Sequence, residues 1–119
     1  MKRTFLLTIA FLLPFLPLSG QCRAEMWVYG IGTISCEKLI QSVDTGVPGP
    51  ELNLIVLSWV QGYVSAMSGW IEPMDKTSSN EITYSLDKYC RGNPSETIQV
   101  AADNIVGQLW IDNQKRNKP

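Results

Sequence analysis

Ser35, Cys36, Glu37 and Lys38 match S-x-x-K, the spacing that sets a serine nucleophile one helical turn from a lysine in β-lactamases and penicillin-binding proteins. That chemistry also needs S-D-N and K-T-G partners on a much larger α/β scaffold, and neither tripeptide occurs in this chain. Ser35 reads instead as the N-cap of a helix. Glu72 and Asp75 are spaced as a carboxylate pair for acid–base work, but their polar surroundings read as a solvated loop. The sequence has no histidine, which removes the commonest general base, the commonest metal ligand and the usual neutral-pH sensor together. There is no glycine-rich phosphate loop, and scattered carboxylates offer no metal-ligand spacing. The sequence therefore predicts no catalytic residue, no metal, no cofactor and no enzyme.

The remaining reactive residues are three cysteines, and their compartment decides their use. Lys2 and Arg3 precede an apolar run from Phe5 to Leu16, broken by Pro14 and Pro17 and followed by small and polar residues. This is the layout of a cleavable secretory signal peptide. Cys22-Arg23-Ala24 places small residues at −3 and −1, so cleavage is expected after Ala24, with residues 1–24 removed. Acylation of Cys22 is disfavoured because Gln21 stands where a lipoprotein signal has Gly, Ala or Ser. Cys36 and Cys90 then remain, in a compartment where disulfides persist. Bridging them closes a loop of about 54 residues, worth about 4 kcal/mol by the chain-entropy estimate.

Removing Lys2, Arg3 and Arg23 with the leader leaves seven basic residues against eleven acidic ones, a formal charge of about −4. Such a chain has no basic footprint for nucleic acid or for an anionic membrane.

The elements that must carry these residues are helical. The longest uncharged stretch after the leader runs from Leu52 to Ile71, bracketed by Glu51 and Glu72. Read at 3.6 residues per turn, Leu52, Val56, Trp59, Val60, Tyr63, Met67, Trp70 and Ile71 make a bulky stripe. Roughly opposite, Ser58, Gly62, Ser65 and Gly69 recur at spacings of four, three and four. This small stripe is expected to face either a neighbouring helix of the bundle, the favoured reading, or a partner or second copy. It also matches a membrane-helix packing pattern. Asn53, Gln61, Ser58, Ser65 and Ser68 make insertion unfavourable, so no stable membrane insertion is expected.

Around this central helix the punctuation predicts three more. Residues 25–34, glycine-broken and aromatic, read as an extended lead-in that lays Trp27 and Tyr29 on the bundle, the favoured reading, or as part of a dimer contact. A first helix follows Ser35 and buries Cys36, Leu39, Ile40 and Val43, ending at the Gly- and Pro-rich residues 46–50. Pro50 suits the first turn of the central helix. Ser78 and Glu81 have capping-box spacing and start a third helix, with Ile82, Leu86, Tyr89 and Cys90 on one face and Gly92 as its C′ residue. Asn93, Pro94 and Glu96 read as the immediate start of a fourth, burying Ile98, Ala101, Ala102, Ile105, Val106, Leu109 and Trp110. The expected fold is an all-α four-helix bundle over residues 35–112, followed by a fraying tail, 113–119.

Two segments carry a resemblance. Thr33 to Ile40 (TISCEKLI) resembles the T-C-E/Q-x-[FL] opening of the HdeA/HdeB-type periplasmic acid-stress proteins, and Asp87 to Pro94 (DKYCRGNP) is similar to the E-Y-C-K-K-N-P segment of that family. The resemblance spans roughly Thr33 to Leu109. It implies a small helical bundle with one disulfide, dimeric at neutral pH, that loosens in acid and holds unfolded periplasmic clients. It also implies that Cys36 and Cys90 take the disulfide role and that the central helix supplies the dimer or client surface. The middle segment, Trp59 to Ala66 (WVQGYVSA), is closer to the C-x-G-Y-[IL]-x-G segment of the Tai-type immunity proteins, with Trp59 where that family keeps a cysteine. That second resemblance implies an inhibitor that neutralises a secreted peptidoglycan amidase. Both imply a protein partner and no enzymatic activity.

Overall fold

In a computed structural model of the full chain, residues 27–71 and 73–118 are described. The signal-peptide reading of residues 1–24 lies outside them. Four α-helices and no strand are present among the described residues, as the hydrophobic periodicity predicts. They are α1 (Cys36–Thr45), α2 (Pro50–Ser68), α3 (Ser79–Gly92) and α4 (Ile98–Arg116). A 3₁₀ turn, Gly30–Thr33, precedes them.

Local chemistry sets most of the boundaries. Gly46 stops α1 in the left-handed conformation, φ 69°, and its N–H bonds the Ser42 carbonyl. Pro50 opens α2 in the first turn, where its missing N–H is no loss. At α3 both halves of the capping box form: Ser78 Oγ accepts from the Glu81 N–H, and the Glu81 carboxylate accepts from the Ser78 N–H at 2.8 Å.

The core is a single cluster built around α2. Val56, Val60 and Val64, one turn apart, meet Leu39 of α1, Ile82 and Leu86 of α3, and Ile98, Ala101, Ala102, Ile105 and Val106 of α4. The alanines of α4 let it approach α2 closely. The disulfide joins Cys36, the first residue of α1, to Cys90 in the last turn of α3, with both cysteines fully buried. Beside it, Cys36 N–H bonds the Glu96 carbonyl at 2.7 Å, Glu37 N–H the Pro94 carbonyl at 2.9 Å, and Ile98 N–H the Ile34 carbonyl at 3.0 Å. An isolated bridge pairs Ser35 with Thr97.

That bridge corrects the expected start of α4. Asn93 does not open a helix; it is the C-cap of α3, whose last residue is Gly92. The fourth helix begins at Ile98, with Thr97 as the N-cap accepting from Val100 N–H. The Pro94 and Glu96 carbonyls of this segment accept from the start of α1, so tertiary bonding outcompetes the local capping signal. Ser35 is the N-cap residue of α1, yet its side chain makes no cap bond.

Other expectations shift by one face. Ser42, not Val43, is buried on α1, because its hydroxyl donates to the Gly49 carbonyl at 3.0 Å and ties the end of α1 to the start of α2. Residues 30–33 form a helical turn rather than an extended lead-in, and Trp27 and Tyr29 are exposed instead of lying on the bundle. Gly32 is the residue that docks: a Cβ there would clash with the Trp59 ring and sit 2.9 Å from Val28 Cγ1. The tail is also more ordered than its composition suggests. Helix α4 continues through Arg116, and Asn113 and Arg116 both bond the Asp75 carboxylate. Asp75 is accordingly not a solvated loop residue; its side chain is only 8% exposed.

Candidate docking surface

The small stripe falls on the outside of the bundle. Ser58, Gly62, Ser65 and Gly69 are all exposed, and a Cβ added at Gly62 would meet nothing within 4 Å. This corrects the favoured expectation that the stripe packs against a neighbouring helix. The physical reason is that Val56, Val60 and Val64 provide the inward ridge, so the stripe on the opposite azimuth points to solvent. Two more residues change sides with it. Trp70 is 87% exposed and Trp110 43%, although both were expected in the core.

The outward face of α2 is therefore uncharged, smooth in the middle and apolar at its ends. Leu54 is 67% exposed, Ile55 is 53% exposed, and Trp70 lies at the far end. Ser65 and Ser68 satisfy their hydroxyls on the Gln61 and Ser65 carbonyls, which leaves those donors turned back into the helix. At its N-terminal end the face continues into a groove of about 420 Å³ lined by Leu39, Val43, Leu54, Leu57, Tyr84 and Leu86. Asn53 also borders the groove; its Oδ1 is buried and accepts no hydrogen bond from any described residue. An uncharged helix face that leads into a mostly apolar groove is what partner-binding surfaces present. The sequence held its residues but not its orientation.

The charged residue that lines the groove, Asp87, belongs to a network of ion pairs. Arg91 of α3 binds Asp44 at the end of α1 at 2.8 Å and Asp87, one turn earlier on α3, at 2.9 Å. Its hydrogen bond to Arg91 holds the Asp44 carboxyl below the usual carboxylate range. The Ser78 backbone bond, aided by Thr77, does the same for Glu81. Burial first, and then the Asp103 carboxylate that accepts its hydroxyl, push Tyr63 above the ordinary phenol range. Carboxyls that are more acidic in the folded chain than in the unfolded one stabilise the fold fully above their unfolded pKa values, about 4. That contribution disappears as pH falls through the depressed values. Urea midpoints should therefore be flat from neutral pH down to about pH 5 and then decline steadily. A midpoint that held constant to pH 2 would contradict the roles given to Asp44 and Glu81.

Among the described residues, no group of three or more metal-ligating side chains is assembled, and no helix is long and apolar enough to cross a membrane. Ser35 and Lys38 flank a helix start, with Ser35 engaged in the bridge to Thr97. Asp75 is tied to Arg116 and Asn113. Comparison with known proteins adds no relative: no protein-family model, no curated protein and no solved structure matches the chain.

Proposed function

We propose that this chain is a non-enzymatic protein-binding module of the periplasm, with the outer face of α2 as its docking surface. The observation that carries the reading is the uncharged face from Leu54 to Trp70, exposed and unoccupied by any other part of the described chain. The particular module proposed is an acid-stress chaperone of the HdeA/HdeB-like kind. Its support is the two cysteine-bearing segments together with the charge arithmetic. Protonating all eleven carboxylates moves the chain without its leader from about −4 to about +7, and self-repulsion then favours loosening. The ion pairs of Arg91 and Arg116 lose their acidic partners over the same range.

The test is aggregation of an unrelated client, followed by light scattering, with the disulfide-bonded protein added at pH 2.5 and at pH 7. A chaperone of this kind suppresses scattering at the lower pH only, and absence of suppression at both would sink the reading. Gly62→Leu locates the surface. The substitution meets open space and replaces glycine inside a helix, so folding stability should rise by about 0.5–1 kcal/mol. Client or partner binding should fall about tenfold as the smooth face is filled. Unchanged binding by Gly62→Leu would place the docking surface elsewhere.

A second reading is an immunity or inhibitor protein that neutralises a periplasm-acting enzyme such as a peptidoglycan amidase. The groove at the N-terminal end of α2 favours it, because Leu54, Val43 and Tyr84 frame it without any opening of the bundle. This reading expects a single protein captured equally at pH 7 and pH 3, where the chaperone expects many clients in acid alone.

A further inference from the structure

A groove of about 580 Å³ lies between α3 and α4, a size common for small-ligand sites, and no residue of α2 lines it. Its floor is Ile105 and Leu109, and its walls bring two tyrosine rings, Tyr84 and Tyr89, beside Ser85, Asn104 and Gln108. Three basic residues, Lys76, Lys88 and Arg116, are balanced there by Asp75, Glu81 and Asp112. Several of these groups are already committed. Asp75 is held by Arg116 and Asn113, Glu81 caps α3, and the Gln108 amide donates to Asp112. The Tyr84, Ser85 and Tyr89 hydroxyls and the Asn104 amide, in contrast, make no side-chain hydrogen bond to any described residue.

The composition of this groove selects a ligand chemistry. Balanced charge gives no preference for a phosphate, a polyanion or a free carboxylate. Hydroxyls and amides that can both donate and accept match a ligand whose own groups do both. Aromatic faces accept the C–H edges of a pyranose ring. An extended peptide would need unpaired main-chain donors and acceptors along an edge, and the mid-helix walls of α3 and α4 have spent theirs on their own ladders. We propose that the α3–α4 groove binds a short neutral oligosaccharide, seated on Tyr84 and Tyr89 and hydrogen-bonded by Asn104 and Ser85. This site takes no residue from α2, shares only Tyr84 with the groove at the end of the α2 face, and does not depend on the function proposed for that face.

The experiment is a titration of the isotope-labelled, disulfide-bonded protein with chitotetraose and maltotetraose, and with an N-acetylated, C-amidated tetra-alanine as the neutral peptide control. Saturable amide shifts confined to Tyr84, Tyr89 and Asn104 and their neighbours are expected with at least one sugar. Tyr84→Ala and Asn104→Ala should each weaken that binding about threefold to tenfold without moving Tm, since both side chains are exposed. Tyr84→Phe, which keeps the ring, should lose less than Tyr84→Ala. The proposal is overturned by the absence of saturable shifts with both sugars, by shifts that map outside the groove, by tetra-alanine binding in their place, or by binding that survives both alanine variants.

Discussion

Replacing Cys36 and Cys90 together with alanine is expected to lower the unfolding free energy by about 4 kcal/mol. The bridge closes a loop of 54 residues that contains all of α2. Opening it releases the unfolded chain to a much larger ensemble, whereas the folded chain keeps its other contacts. Against a typical total of about 5–15 kcal/mol for a small domain, the loss leaves the reduced protein near its unfolding threshold at ambient temperature. Urea titrations of the oxidised protein and the double variant, compared at one pH, measure it. A difference below about 1 kcal/mol would mean that the unbridged chain is held compact before folding, or that the backbone bonds around Cys36 suffice alone.

The second large effect is expected from Ile98→Ala. Ile98 is the largest fully buried side chain, and it opens α4 where the bridge to residues 34–37 meets the core. Truncation removes three carbons from a site whose walls are fixed by the disulfide and by the Ile98 N–H bond to Ile34, so collapse around the void is restricted. A loss of about 3–4 kcal/mol follows from transfer and cavity costs together. Thermal and urea unfolding of the variant test this. A loss near 1 kcal/mol would show that the site relaxes in spite of its crosslinks.

These two positions also show what local sequence could and could not express. Helix α3 is legible at its start and along its face, because Ser78 and Glu81 announce the one and Ile82, Leu86 and Cys90 mark the other; its end differs, since Gly92, expected as the C′ residue, is still helical and Asn93 is the C-cap. Helix α2 is legible both as a helix and, along its bulky stripe, in rotation: Val56 and Val60 are buried and Leu52, Trp59, Tyr63, Met67 and Ile71 pack against the core. A stretch without charge blurs the edges of that stripe, so Trp70 reads as core and Val64 goes unnoticed beside Tyr63. The same silence hides the docking surface: Ser58, Gly62, Ser65 and Gly69 look alike whether they meet a neighbouring helix or water. At Asn93 a capping signal is present and unused, because the carbonyls of Pro94 and Glu96 are claimed by the N–H groups of α1. Long-range pairing of that kind leaves no mark in a local window. The α3–α4 groove is invisible for a related reason, since it joins residues that ordinary surface helices also carry.

The position of the crosslink has a consequence for a damaged molecule. The segment between α2 and α3 lies between Cys36 and Cys90 in the chain, so each cysteine belongs to a different side of any cut made there. A protease that severs this segment produces two peptides that remain one covalent body, with the backbone bonds at Cys36, Glu37 and Ile98 still in register. The α2 face stays on one half and the α3–α4 groove on the other. In an oxidising compartment rich in proteases, a nicked chain can thus keep both surfaces joined until the disulfide is reduced.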